Sequence, residues 1–201
     1  MRLRSLLLLL MVSSLAVSAL DHFYALRGGI GFAGMRGKDV PENTKIGLSG
    51  SVGAVGATAF YPAGPLWGTD LNLTTLNIKK DTVLWSDATG DYTDSTDYNF
   101  SFTHVSIGLF LMKSWDFGLN IYTGPMGSYL VSCVKTVAGS EEQCDDDYQP
   151  FQLEAEIGAM QQVSERILVE IRYLQTVLPF DKEMRRHEFT YAAHAGLLFQ
   201  F

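Results

Sequence analysis

The sequence lacks long apolar runs, an excess of basic residues and any linker of low complexity. The apolar run Leu6–Val12 is far shorter than the roughly 18 residues that a membrane-spanning helix needs, and later runs are soon interrupted. A helical membrane protein is therefore excluded. The formal net charge of −7 gives no electrostatic basis for binding nucleic acid. Without a linker, 201 residues are consistent with one domain.

The first 19 residues predict a secretory signal peptide. Arg2 and Arg4 precede the apolar run, and Val17-Ser18-Ala19 offers small residues at a cleavage site. The alternative is an uncleaved signal anchor. We therefore take 20–201 as the mature domain.

Alternation of apolar and polar residues dominates this domain. In the last segment, Phe189, Tyr191 and Ala193 share one face, while Thr190 and Ala192 lie on the other. A period of two indicates β-strands, because successive side chains point to opposite sides of a sheet. Eight segments show it: 24–32, 48–60, 67–74, 98–111, 117–131, 151–159, 167–177 and 189–201.

In the fourth segment, Phe102 and Val105 are three residues apart, so Phe100 and Phe102 do not share the alternation of Val105. We expect the two Phe side chains on the same apolar face as Val105, with a β-bulge near Thr103 restoring the phase.

The connections alternate between short and long. Membrane barrels have short turns on one side and long loops on the other. The sequence therefore predicts an all-β, eight-stranded antiparallel up-and-down barrel over 20–201. The short connections are 62–65, 114–116 and 164–166, and the long ones are 35–45, 79–97, 134–147 and 179–188.

The polar face favours a transmembrane barrel over a soluble one such as a lipocalin. A face in water should be rich in Lys and Glu. This face instead carries mainly Gly, Ser, Ala, Asn and Thr, which fit a narrow barrel interior. Large apolar residues are then expected to face lipid. Aromatic belts are predicted from Tyr24, Phe60, Trp67, Trp115, Phe117 and Phe199 near the short turns, and from Phe32, Trp85, Tyr98, Tyr129 and Tyr148 near the long loops.

The final residues His194, Gly196, Phe199 and Phe201 resemble the C-terminal assembly signal of bacterial outer-membrane barrels. The segments 156–158, 163–166 and 170–173 look like a short-turn hairpin of the same proteins. The chain thus resembles the small eight-stranded barrels of the OmpA, OmpX and OmpW type. The resemblance implies a place in the bacterial outer membrane, loops at the cell surface, and recognition of the last strand by the barrel assembly machinery.

Charged residues on the inward face are the candidate site. Buried charges are tolerated when they are paired, and partners on neighbouring strands can supply the pairing. We expect either a salt-bridge network that plugs the barrel or a charged constriction that gates a narrow pore. The residues are Arg27, Asp70, Glu154, Glu156, Glu170 and Arg172.

Two motifs suggest chemistry. His104 and Ser106 share a strand face, as a similar pair does in barrels that deacylate lipid A, but no further residue completes that pattern. Gly29–Gly34 matches a dinucleotide fingerprint by its letters but has no helix after it. We predict no enzyme activity, no catalytic residue and no cofactor.

The loops offer further features. Cys133 and Cys144 predict a disulfide across the third long loop in an oxidising compartment, against two free thiols. Acidic residues predict a solvated surface rather than a metal site: Asp81, Asp87, Asp91, Asp94, Asp97, Glu141, Glu142, Asp145, Asp146 and Asp147. Basic residues that could contact lipid phosphates are Arg36, Lys38, Lys45, Arg185 and Arg186.

The sequence therefore predicts a structural outer-membrane barrel that binds an extracellular ligand through its loops, with lipid as its other partner. A narrow channel for small or hydrophobic solutes is the alternative, and a lipid-modifying barrel enzyme is a remote one. A fold of this kind hosts unrelated functions.

Overall fold

Nine β-strands make up most of the chain that the computed structural model describes, namely 22–37, 44–59, 64–84, 94–137, 139–178 and 189–201. The signal peptide at 1–19 lies outside these residues. None of the described residues belongs to a helix long and apolar enough to cross a membrane. The strands are β1 His22–Arg36, β2 Gly47–Ala59, β3 Leu66–Leu84, β4 Asp94–Ser114, β5 Leu119–Val137, β6 Ser140–Gln143, β7 Phe151–Gln162, β8 Ile167–Thr176 and β9 Phe189–Gln200, with one 3-10 turn at Asp145–Asp147.

Eight of these strands close into an antiparallel barrel. Sequential neighbours pair from β1 to β5, β5 pairs with β7, and β7 continues through β8 to β9. The barrel closes where β9 pairs with β1, with Gly28 opposite Leu197. The fold class predicted from the sequence is confirmed. The ninth strand, β6, pairs only with the far end of β5 and lies beyond the ring.

The two faces of the wall follow the predicted alternation in most strands. In β1, Leu26, Ile30 and Phe32 are exposed on the outside while Arg27 is buried inside. Ile30, near the middle of β1, is 79% exposed. A soluble barrel would leave such a continuous apolar band in water, whereas a membrane covers it with lipid.

The phase change predicted in β4 is wrong. Phe100, Phe102 and His104 are all buried, so inward alternation continues unbroken along this strand. The register between β4 and β5 does shift at Thr103 and His104, but the additional residue lies in β5, where Val131 has no partner in β4. A bulge bends the strand that carries the additional residue, so the phase changes in β5.

An apolar cluster closes the lumen at the long-loop end. Tyr148, from the loop after β6, lies edge-on against Phe102 with 5.0 Å between the ring centroids. Tyr148 therefore belongs to the lumen and not to the predicted aromatic belt. The disulfide-bonded Cys133 and Cys144 join this cluster, whose other members are Ala33, Met35, Leu76, Ile78, Phe100, Met126, Leu130, Leu174 and Ala192.

A second apolar cluster fills the lumen near the short turns. Phe110 and Tyr122 meet there with 5.3 Å between their ring centroids. Both ends of the lumen are thus packed with apolar side chains across the described residues. The cluster comprises Ala25, Val55, Ala57, Phe110, Met112, Tyr122, Met160, Leu168 and Leu198, with Phe23 and Leu66 packed against it.

One side of the barrel wall is taller than the other. The strands β3, β4 and β5 contain 19, 21 and 19 residues, whereas β7, β8 and β9 contain 12, 10 and 12. A tilted strand needs about 9–11 residues to cross the hydrocarbon core. The β3–β5 side, extended by β6, therefore projects beyond the membrane at the long-loop end.

Candidate functional site

Arg27 is the centre of a charge network between the two apolar clusters. Its Nη1 donates to Oδ2 of Asp70 at 2.7 Å, and its Nη2 donates to Oε1 of Glu170 at 2.8 Å. The three side chains come from β1, β3 and β8 and are at most 4% exposed. One guanidinium therefore connects strands on opposite parts of the barrel wall.

Polar side chains that the sequence analysis did not select complete this arrangement. The Tyr122 hydroxyl donates to Oε1 of Glu170 at 2.6 Å, and the Arg27 guanidinium carbon lies 5.7 Å from the centroid of the same ring. Asn72 Nδ2 donates to Oδ2 of Asp70 at 2.7 Å. The signal was available in the sequence, because Asn72 follows Asp70 on one strand face and Tyr122 alternates inward with Ser128.

Arg172 forms the second half of the network. Its Nη2 donates to the Ser51 hydroxyl at 3.0 Å, while its Nη1 lies 3.8 Å from both Oδ2 of Asp70 and Oε2 of Glu156. All six predicted residues are buried inside the barrel, and five of them are linked by ion pairs. The guanidinium group is planar and carries five N–H donors, so one Arg side chain can contact several partners at once.

Carboxylates outnumber guanidinium groups in this region of the lumen, four to two. Oδ1 of Asp70 and both carboxylate oxygens of Glu156 are buried without a hydrogen bond among the described atoms. The network therefore combines short hydrogen bonds from Arg27 with buried carboxylate oxygens that accept no hydrogen bond among the described atoms. Such networks are sensitive to the loss of a single member.

Two glycines make room for the network. A Cβ at Gly108 would collide with the Asp70 carboxylate, and a Cβ at Gly158 would collide with the Tyr122 ring. Both glycines face inward, on β4 and β7, beside the residues they accommodate. The small residues of the polar face thus serve to fit long side chains into a narrow interior.

A small polar cavity separates the network from the long-loop cluster. Glu154, the sixth predicted residue, borders it together with Thr74, Thr176 and Thr190. Leu76 and Leu174, which belong to the long-loop cluster, also line the cavity. Glu154 therefore lies at the edge of the Arg27 network, beside the cavity.

The His104 and Ser106 pair also borders this cavity. Both side chains are 2% exposed, and Gln152 Nε2 lies 3.4 Å from His104 Nε2. The pair therefore faces the lumen and not the lipid. The expectation that the protein is not an enzyme remains a prediction.

The other predicted features are placed as follows. His194 Nε2 lies 2.6 Å from the Ser49 hydroxyl in the lumen, and Phe199 is exposed on the outer wall. Of the other two residues in the proposed assembly signal, Gly196 faces inward against the Gly28 backbone and Phe201 is exposed. Recognition by the assembly machinery remains a prediction.

The disulfide between Cys133 and Cys144 joins β5 to the segment after β6, with 5.0 Å between the Cα atoms. The Cys133 amide donates to the Asp145 carboxylate, which anchors the 3-10 turn. This anchoring holds the following residue, Tyr148, over the lumen. Glu141, Glu142, Asp146 and Asp147 are exposed here.

Several of the loop residues selected from the sequence lie outside the part of the chain that the structure describes. Asp87, Asp91, Lys38, Arg185 and Arg186 lie in three long loops, at residues that the structure does not describe. Asp81, Asp94 and Asp97 lie in β3 and β4, but their side chains are not described. The glycine-rich 29–34 segment forms part of strand β1, so it lacks the strand-turn-helix context of a dinucleotide site.

A closed eight-stranded antiparallel barrel with a lipid-facing apolar band and a filled lumen defines the class: this is the fold of an outer-membrane β-barrel. Known structures agree. The chain is similar to Neisserial surface protein A, with a TM-score of 0.54 and 11% identity over 89% of this chain and 97% of that one. It is also similar to Ail, the attachment invasion locus protein of Yersinia pestis, with a TM-score of 0.50 and 11% identity over 90% and 100%.

A third similar structure is the outer membrane protein OprG from Pseudomonas aeruginosa, with a TM-score of 0.50 and 12% identity over 92% of this chain and 98% of that one. No protein-family model and no curated protein sequence matches the chain. At these identities the likeness is one of fold, shared with small eight-stranded outer-membrane barrels.

Proposed function

We propose that the protein is a non-conducting outer-membrane barrel that binds an extracellular ligand through its long-loop end. The observation that carries this proposal is the filling of the lumen. Apolar clusters occupy both ends, and the Arg27 network crosses the space between them. A continuous water path would need both clusters to move apart, which close packing opposes.

The tall side of the wall supports the binding part of the proposal. Beyond the barrel ring, β5 pairs with β6 over Val134–Val137, and the disulfide fixes the end of that hairpin. A preorganised surface loses less conformational entropy when a ligand binds. Ail, which has a similar fold, is named for attachment and invasion. For this chain that likeness supports a surface role only by analogy.

A narrow channel is the second candidate, because the polar cavity and the excess of carboxylates provide a hydrophilic interior. Planar-bilayer recording on the refolded protein separates the two. We expect no steady conductance from protein whose unheated gel mobility shows that it is folded. A general porin, reconstituted in the same way, is the positive control. Discrete openings that change with Arg172→Gln would establish a pore and contradict the sealed lumen.

Surface binding is tested with non-adherent bacteria that produce the protein on a monolayer of cultured epithelial cells. We expect more attachment than with vector-only bacteria. A variant with a short turn in place of 138–147 and Cys133→Ser should return attachment to the vector level. Replacing the short turn 164–166 is the matched control. Equal attachment by wild-type and vector-only bacteria, at verified surface levels, would contradict the proposal.

A further inference from the structure

Glu154 differs from the other five predicted charges of the lumen, because it forms no ion pair with a described side chain. It projects inward from β7 and is 7% exposed. Ser128, a neutral side chain on β5, lies beside its carboxylate. Arg172 pairs with Asp70 and Glu156 instead. An ionised carboxylate is costly to bury without a cationic partner, so the charge of Glu154 needs a further explanation.

The carboxylate borders the polar cavity between the network and the long-loop cluster. The space left in this cavity is about that of one water molecule. Polar side chains from five strands surround it, and each is at most 7% exposed. The cavity is therefore a small, enclosed site lined by oxygen atoms, which are those of Thr74, Ser106, Glu154, Thr176 and Thr190.

Two of these hydroxyl oxygens have lone pairs to spare. Thr74 Oγ1 is buried and has no hydrogen bond among the described atoms. Thr176 Oγ1 accepts from the Thr190 amide at 2.7 Å and donates to the Thr190 carbonyl at 3.1 Å. A hydroxyl oxygen can accept through two lone pairs. Thr176 therefore keeps one lone pair for a ligand in the cavity, and Thr74 keeps both.

The described residues around the cavity include no lysine or arginine, and His104 is the one basic side chain among them. Gln152 Nε2 lies 3.4 Å from His104 Nε2. The amide NH2 group is a donor, so this ring nitrogen accepts, and an imidazole that accepts a hydrogen bond is neutral. The described surroundings of the cavity thus place no positive charge against Glu154.

We propose that the cavity binds a monovalent alkali-metal cation, with the Glu154 carboxylate and the hydroxyl oxygens of Thr74 and Thr176 as ligands. Hard cations prefer oxygen ligands, and a buried charge is stable when it is paired or bound to a metal ion. The site has room for one small ion and supplies one formal negative charge. No group of three or more His, Cys, Asp or Glu side chains that could hold a metal ion occurs among the described residues, which argues against a divalent ion.

The test measures urea unfolding of the mature protein in phosphatidylcholine vesicles that contain NaCl, KCl or N-methylglucamine chloride at equal ionic strength. N-methylglucamine is too large for a space of one water molecule. A pH of about 8 limits competition between protons and the cation for the carboxylate. In at least one alkali-metal salt we expect the folded-to-unfolded ratio at a fixed urea concentration to be about tenfold higher, which corresponds to about 1.4 kcal/mol.

Three variants locate the effect. Glu154→Gln removes the charge at nearly constant size, and we expect equal ratios in the three salts. Thr74→Val removes a hydroxyl that has no other described hydrogen bond, so the salt effect should fall below about threefold while the protein stays folded. Glu165→Gln, which changes an exposed carboxylate in the turn before β8, is the matched control and should keep the full effect.

Two outcomes of the titrations would overturn the proposal. Equal ratios in the three salts for the wild type would mean that a proton or a water molecule satisfies the cavity. A salt effect that persists in Glu154→Gln would mean that the cation binds elsewhere. Unheated gel mobility shows which variants are folded.

Anomalous diffraction supplies a measurement that needs no variant. Crystals of the wild-type protein soaked in thallium(I), which substitutes for potassium, should show a peak between Glu154, Thr74 and Thr176. No peak, or a peak at the protein surface only, would contradict the site. This inference rests on the cavity and not on ligand binding by the loops. Steady conductance or a lack of attachment would therefore contradict the proposed function and leave these outcomes unchanged.

Discussion

The inner and outer faces of the barrel wall are built from the same strands but obey opposite rules. In β1, Arg27 is 4% exposed and faces inward, whereas Ile30 is 79% exposed and faces outward. In a soluble protein this pattern would be inverted, because charges stay in water and apolar side chains leave it. Here lipid covers the outside, so apolar exposure has no aqueous cost, and charges are retained inside only through pairing.

The difference shows where the specificity of this fold resides. The outer face needs only to be apolar, so its side chains can be exchanged for others of similar hydrophobicity. The inner face joins β1, β3, β5 and β8 through a few hydrogen bonds between residues far apart in sequence. Removing one inner charge should therefore have the largest effect, and exchanging an outer apolar side chain for another apolar one the smallest.

The largest expected effect is that of Arg27→Met. The substitution leaves the carboxylates of Asp70 and Glu170 buried without their main donor. Breaking one side of a buried ion pair costs about 3–5 kcal/mol. We expect the free energy of unfolding, measured by urea titration in phosphatidylcholine vesicles, to fall by about that amount.

A compensated variant tests the reason for that loss. Arg27→Met combined with Asp70→Asn and Glu170→Gln removes the uncompensated charges and should recover most of the stability. Lys113→Met, on the outer wall, should change it by no more than about 0.5 kcal/mol. A loss below about 1 kcal/mol for Arg27→Met would show that the network does not stabilise the barrel.

The outer face is tested by a charge placed at its middle. Ile30→Lys should lower the free energy of unfolding in vesicles by about 2–4 kcal/mol, because the bilayer midplane is the costliest depth for a lysine. Asn77→Lys, also on the outer face but near the long-loop end, should cost no more than about 1 kcal/mol. Equal stability of Ile30→Lys and the wild type would mean that water, not lipid, covers this face.

Much of this two-faced wall could be predicted from the sequence, because a period of two leaves few alternatives. The alternation placed Arg27, Glu170 and Arg172 inside correctly. It could not show which of them are bonded, since register decides that and register comes from pairing between distant strands. The alternation also places Tyr122 inside, but only the folded barrel shows that its hydroxyl meets Glu170.

The error in β4 has a different origin. The sequence pattern predicts Phe100 and Phe102 on the outside only if the interior is polar along its whole length. The lumen is packed with apolar side chains at its long-loop end, so large aromatic side chains fit there. The additional residue of the bulge is in β5, whereas the alternation in β4 is continuous. A single strand does not reveal a bulge in its neighbour.

The smallest expected effects come from the same substitution, Phe to Leu, made on the two opposite faces of the wall. Phe102 is fully buried against Tyr148, so Phe102→Leu should leave unfilled space and lower the free energy of unfolding by about 1–2 kcal/mol. Phe32 is 60% exposed to lipid, which adapts to a smaller side chain, so Phe32→Leu should change it by no more than about 0.5 kcal/mol. Urea titrations in the same vesicles measure both. If Phe32→Leu were the costlier change, the lumen at this end would be loosely packed, and the apolar cluster could no longer be held responsible for closing it.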